Sequence, residues 1–347
     1  MRPKVVFTIL ITTFLLFNCK EESSKPKVEE FKFENIYEAN DALGRAINLG
    51  NALEAPSEGD WGVTILDEYL PMIKEKGFTG VRIPIRWSAH TVDEAGYVIL
   101  PNFFARVDHV VNLALDNNLA VVINIHHFEE IFENPAENKA KLLSIWKQLS
   151  EHYKGYPQTV FFEILNEPHA NLTAELWNQY LAECLTIIRE TNPDRAVVIG
   201  TANWGGVGDM YKLVIPEGED NLILTIHYYE PFHFTHQGAE WADGSNDWMG
   251  TKWLGTADEQ NNILQHFQQI KTFADARNMP VFLGEFGAYN KADMASRATW
   301  SSFIVQSAEQ LGFSWAYWEF CSGFGIYNSE DGTWYPHLVN ALIQGNE

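Results

Sequence analysis

The chain reads as a (β/α)8 TIM barrel, and three observations lead there. A short apolar run, a loop and an amphipathic stretch recur about eight times between Tyr37 and the carboxyl terminus. The apolar runs are near-continuous rather than alternating, as in parallel strands covered on both faces. Polar and aromatic residues gather just past the carboxyl end of every run, where a barrel of this kind carries its active site. The competing architecture is an open doubly wound sheet. It would place a glycine-rich phosphate turn after the first strand, and none is present.

The expected strands are Ala46–Asn51, Gly80–Arg86, Ala120–His127, Val160–Glu167, Ala196–Ala202, Leu222–Tyr229, Val281–Gly287 and Ser314–Glu319. Helical spacing marks Ile65–Ile73, Leu176–Ile188 and Ile263–Phe273 between them, with Thr173 and Asp258 as expected starts of the last two. The fourth strand is the most telling. Phe161, Phe162, Ile164 and Leu165 are interrupted only by Glu163, and the run stops at Asn166-Glu167-Pro168 because proline cannot donate to a ladder. The seventh has the same form and delivers Glu285 ahead of Phe286-Gly287. Two glutamates at the ends of two buried strands suggest paired-carboxylate chemistry, of which glycoside hydrolysis is the commonest kind.

The other strands place Asn48, Asn51 and Glu54 (first), Arg82 (second), Asn124, His126 and His127 (third), Asn203 and Trp204 (fifth), His227 and Tyr229 (sixth), and Trp318 and Glu319 (eighth) at the same rim. The connection from Glu230 to Ala257 shows little regular pattern yet carries Phe232, Phe234, Trp241, Trp248 and Trp253. Aromatics at that density argue for a folded wall beside the site rather than a disordered loop.

Composition narrows the ligand. A net charge of −22 without any block of Lys or Arg argues against nucleic acid and anionic membrane surfaces as partners. The 12 Trp and 13 Tyr suit the apolar faces of sugars, although most such rings fill cores. No cofactor is expected. Adjacent His126 and His127 would point to opposite faces of a strand, so a shared metal ion is not expected either.

The amino terminus reads as a leader. Arg2 and Lys4 precede an uncharged run, Val5–Phe17, too short to span a membrane, and Asn18-Cys19 follows. This resembles a bacterial lipoprotein signal with Cys19 lipidated; ordinary secretion without lipid is the alternative. Residues 1–18 are then signal peptide, 19–36 a flexible polar tether, and 37–347 one catalytic domain. The protein is expected as a monomer at the cell surface or in the periplasm, meeting membrane only through the lipid. Cys184 and Cys321 remain, and both read as small buried hydrophobes rather than a disulfide framework.

In order, the rim motifs resemble those of glycoside hydrolase family 5, the cellulase family. Asn166-Glu167-Pro168 matches that family's acid/base signature and Gly284-Glu285-Phe286-Gly287 its nucleophile. Gly80-Val-Arg82-Ile-Pro84, His126, His227-Tyr-Tyr229 and Trp318 match further active-site positions. Asn48 to Pro56, Phe234 to Trp241 and Tyr317 to Gly325 look like a bacterial endoglucanase branch with members acting on β-1,4-glucans and on mannans. The resemblance spans Tyr37 to Ile343 and implies a retaining endo-acting hydrolase. Glu167 would be the acid, with a raised pKa, and Glu285 the ionised nucleophile held by Arg82 and Tyr229. Asn166, His126 and His227 would orient the sugar and the carboxylates. Asn51, Glu54, His127, Trp204, Trp241, Trp318 and Glu319 would contact substrate. An endo-β-1,4-mannanase is the first alternative. A sugar-binding lipoprotein without catalysis is a second, and it has no need of both glutamates. A metal-dependent barrel hydrolase is a third, and its early His-x-His cluster is absent.

Overall fold

The computed structural model describes residues 32–344. Eight parallel strands close into a barrel: β1 (Arg45–Asn48), β2 (Gly80–Ile83), β3 (Ala120–Asn124), β4 (Val160–Glu163), β5 (Val197–Gly200), β6 (Leu222–His227), β7 (Val281–Phe286) and β8 (Ser314–Tyr317). Each pairs in parallel with its sequence neighbours, and β8 pairs with β1. All eight expected strands exist, but most end two to four residues earlier than their apolar runs. Ile164 and Leu165 show why: they lie past the end of β4 yet are as buried as the strand itself.

Helices α1 (Ile36–Leu43), α2 (Tyr69–Glu75), α3 (Pro101–Asp116), α4 (Pro135–Tyr153), α5 (Ala174–Thr191), α6 (Ala257–Asp275) and α7 (Met294–Gln310) surround the barrel. The connection after β5 carries only a 3-10 turn, Met210–Lys212, in place of a full helix. Thr173 caps α5 as expected. Asp258 does not cap α6. Thr256 does, in a reciprocal capping box with Glu259, which leaves Asp258 inside the first turn. α2 starts later than its pattern, since Ile65 is held in a loop by the Glu58 carboxylate.

Inside the barrel, side chains alternate between the interior and the helices. Ala46, Ala120, Val122, Phe161, Ala196, Val198, Ile223, Phe282 and Ala316 form the interior cluster, while Ile47, Val81, Val121, Phe162, Val197, Leu224 and Leu283 face the helices. α1 closes the amino-terminal end, where Ile36, Ala39 and Leu43 join that interior cluster. Its Asn35 cap accepts from the Tyr37 and Glu38 amides. The folded part thus reaches back past residue 37: Phe33 packs on the same cluster against Phe161. Above the apolar layer the inward residues turn polar, namely Asn48, Arg82, Asn124, Glu163, Thr225 and His227, and all are buried. The active-site floor is therefore the top layer of the barrel core. Cys184 is buried and Cys321 half-buried, both as free thiols. Cys19, the signal sequence and the tether up to Phe31 lie outside the described residues.

Candidate active site

Arg82 is the hub of the polar layer. Its guanidinium is inaccessible to solvent and every donor is engaged. Nε and Nη2 form a two-pronged pair with Glu163 at 2.6 and 2.7 Å. Nη1 donates to Asn48 Oδ1 at 2.8 Å and to Glu285 Oε1 at 2.7 Å. Nη2 also donates to Asn166 Oδ1 at 2.7 Å. Removing a charge from water at this depth is costly, so the hub holds only because both carboxylates and both amides converge on it.

Glu285 is aimed into the mouth by a bulge in β7. Ile226 pairs with Leu283 but His227 with Glu285, so Gly284 is the extra residue. Only glycine fits there, since a Cβ would meet Thr225 Oγ1 and lie 3.0 Å from His227 Nε2. Glu285 Oε2 accepts from the Tyr229 hydroxyl at 2.9 Å. Glu167 follows β4 with φ 45°. Asn51, His127, Asn203 and Trp204, at the ends of other strands, also have positive φ. Strained backbone of this sort is concentrated at functional rims. Glu167 Oε1 meets His227 Nδ1 at 2.6 Å, and the same nitrogen is 3.7 Å from Glu285 Oε2. One oxygen of each glutamate and a His227 ring nitrogen lie within 4.8 Å of one another. A divalent ion could bridge such a set, but these atoms already satisfy each other and Tyr229, so the arrangement is that of an acid–base triad.

The proton distribution departs from the expected order. Burial raises the Glu285 carboxyl, against His227 and Arg82, which lower it. Glu167 is lowered: burial pushes it up, but the His227 hydrogen bond and charge pull it down by more. His227 is raised, because the two carboxylates outweigh its burial. His227 Nδ1 and Glu167 Oε1 are thus joined by a short hydrogen bond, and Glu167 does not stand as an isolated acid. The resemblance implied that His227 orients the carboxylates, and the structure adds its place between them.

The remaining rim residues fall into two groups. His126, Asn166, His127 and Trp318 gather beside the triad, Trp204 joins it through His169, and Trp241 and Asn51 stand on the loops of the same rim. Asn124 Oδ1 accepts from the Ile85 amide, so its NH2 faces His126 Nδ1 at 3.1 Å. His126 then carries its proton on Nε2, and burial with nearby His127 and Arg82 keeps it neutral. Its ring lies nearly parallel to Trp318, centroids 5.8 Å apart. Asn166 spends its oxygen on Arg82 and keeps its NH2 to donate. Trp204 is 57% exposed and stacks on His169 at 3.5 Å; His169 Nδ1 in turn bonds the Glu167 carbonyl. Trp241, on the long β6 connection, stands edge-on to Tyr289 and is 62% exposed. That connection is folded as expected, with Phe234 and Trp253 buried.

Glu54 and Glu319, expected as substrate contacts, form the second group and correct that expectation, for neither is exposed at all. Glu54 accepts from the Asn51 and Ala52 amides, and Glu319 from those of Ser322 and Phe324. Burial pushes Glu54 up to about 7 and Glu319, with Glu54 nearby, up to about 8. As placed, both brace the loops around Trp318. Glu163 and His169 were missed. A lone charge on the inward face of an apolar strand, level with Arg82 on another, was the available signal for Glu163.

Comparison with known proteins agrees with this geometry. The family model for cellulase (glycosyl hydrolase family 5) matches residues 41–323. Endoglucanase H of Acetivibrio thermocellus is 35% identical over 327 residues, covering 92% of this chain but 34% of that longer protein. Endoglucanase A of Ruminococcus albus is 31% identical, covering 86% of this chain and 89% of its own. The structure of Thermotoga maritima Cel5A in complex with mannotriose superposes with a TM-score of 0.88 at 53% identity, covering 89% of this chain and all of that one. A structure of the same enzyme with cellobiose matches equally well. Motif order, barrel and comparisons converge: the chain belongs to glycoside hydrolase family 5, the cellulase family.

Proposed function

We propose that the protein is a retaining endo-β-1,4-glucanase. One observation carries this reading above the others: Glu285 is held by Arg82 and Tyr229 within 4.8 Å of Glu167, measured between one oxygen of each. Retaining glycosidases separate their carboxyl groups by about 5–5.5 Å, whereas inverting ones leave about 6.5–9.5 Å for a water. Substrate class follows the names of the relatives, which are endoglucanases.

The chemistry follows from the triad. A glycosidic oxygen arrives at Glu167, and the proton shared with His227 passes through Glu167 to that oxygen. The C–O bond breaks as a Glu285 oxygen bonds the anomeric carbon. Arg82 and Tyr229 hold Glu285 in line and keep it anionic until then. Esterification removes the Glu285 charge. Glu167, now a carboxylate, takes a proton from water, and the resulting hydroxide displaces Glu285. Two inversions leave the β configuration. Trp318 lies beneath the reacting sugar, and the Asn166 NH2 is free to meet its hydroxyls.

We further infer that the mature protein is a surface or periplasmic lipoprotein anchored through Cys19. The charged start, the apolar run and the cysteine that follows support this.

The test is proton NMR of the first product from β-glucan, with reducing-end assays on carboxymethylcellulose, mixed-linkage glucan and glucomannan alongside. The β anomer appears first if the proposal holds. An initial α anomer would mean that water attacks directly and that Glu285 acts as a base.

A further inference from the structure

Trp61 lies on the loop between β1 and α2, outside every motif that the sequence singled out. It is 41% exposed. The loop that carries it is pinned rather than loose. Glu58 takes two hydrogen bonds from Arg106 at 2.7 Å each and one from the Ile65 amide at 2.9 Å. Asp60 and Ser57 bond each other's amides, through the Asp60 carboxylate and the Ser57 carbonyl, and the Gly62 amide bonds the Gly59 carbonyl. Gly59 and Gly62, at φ 96° and 83°, make the turns that lift the indole. A fixed loop thus presents a large aromatic to solvent.

Its position continues a row of rings. Trp318 stacks with His126 at 5.8 Å, His126 meets His127 at 4.6 Å, and His127 meets Trp61 edge-to-face at 5.3 Å. The row runs from the platform under the reacting sugar across the β1 and β3 side of the mouth. Trp204 and Trp241 stand on the β5 to β7 side, and Trp204 is tied through His169 to Glu167. Glu167 protonates the leaving oxygen, so the departing part of the polymer lies on its side. The retained part then extends along the row toward Trp61.

We propose that Trp61 is a distal sugar-binding platform, stacking on a β-1,4-linked sugar of the retained segment several units from the cleaved bond. This rests on the proposed glucanase activity and adds to it a selectivity for long chains. Flat rings suit the apolar face of a pyranose, and a rigid indole loses little freedom on binding. The plain alternative is that Trp61 merely covers His127. In that case its loss would act through His127 on every substrate alike.

The experiment compares kcat/KM for cellohexaose with that for p-nitrophenyl β-cellobioside, whose two sugars and aryl group are too short to reach Trp61. Wild type, Trp61→Ala and Trp61→Leu are measured, and thermal unfolding monitors the fold. The ratio of the two values should fall roughly five- to tenfold in both variants, as expected for the loss of one stacking contact. Leucine keeps an apolar cover over His127 but offers no flat face. A ratio unchanged in Trp61→Ala, or restored in Trp61→Leu, overturns the proposal while leaving the glucanase assignment intact. A wild-type enzyme that cleaves neither compound overturns both.

Discussion

Replacing Tyr229 by Phe removes one hydroxyl from the nucleophile and little else. The ring keeps its contacts with His236 and Phe324, at 4.9 and 6.1 Å between centroids. Burial and the two glutamates hold the Tyr229 phenol well above its ordinary pKa, so it stays a donor throughout the working range. Its hydrogen bond to Glu285 stabilises the anion and not the acid. A hydrogen bond to a charged group contributes about 1.5–3 kcal/mol. At about 1.4 kcal/mol per pKa unit, losing it should raise the Glu285 pKa by roughly 1–2 units. Burial already raises this carboxyl, so the two effects share a sign. Activity requires ionised Glu285. The acid limb of the kcat/KM profile should therefore move to higher pH by about that amount, while the basic limb, set by the proton on the His227–Glu167 pair, moves much less. The assay is a pH series on an aryl cellobioside, with a thermal melt to show that the fold persists. An acid limb that stays in place, or moves to lower pH, would refute the view that Tyr229 serves the charge of the nucleophile.

Other expectations follow from the same geometry. Glu285→Gln should lower kcat on the order of 10⁵-fold, as for other covalent nucleophiles, while cello-oligosaccharide binding by calorimetry survives. Glu319 and Glu54 titrate from 4.5 in the unfolded chain to about 8 and about 7 in the fold, so their stabilisation is full below pH 4.5 and is lost as pH rises through those values. Wild-type Tm should then decline between pH 5 and 8, and Glu319→Gln, still able to accept amides through its carbonyl, should flatten that decline; an equally steep curve would count against it. Cys19→Ala should abolish labelling with a radioactive fatty acid and release the protein from membranes, and an unlabelled wild type would refute the anchor.

The barrel was legible because its strands are written in long apolar runs, and the two glutamates because each stands where such a run breaks at proline or glycine. The same grammar overran the strand ends, since Ile164, Leu165 and Ile125 are as buried beyond the ladder as within it. It also could not sort carboxylates by what they face. Glu54, Glu285 and Glu319 all lie at or just beyond strand ends, yet the first and last turn onto backbone amides. Which way each faces depends on loop turns that bring distant residues together. The His227 bridge was hidden for a similar reason. Its partners lie 60 residues before and 58 after it, and the pairing of β6 with β7 and the course of the chain beyond β4 set Nδ1 2.6 Å from one and 3.7 Å from the other.

The Arg82 hub has a consequence for how activity arises in time. Its partners are 34, 81, 84 and 203 residues away in the chain and sit on or just past β1, β4 and β7. No fragment that lacks β2, β4 or β7 can bring the guanidinium, the nucleophile and the acid together. Catalysis is thus a reporter of the early and late strands having joined. During refolding, the first detectable hydrolysis should mark the moment when β7 is in place across from β2, however early the helices form.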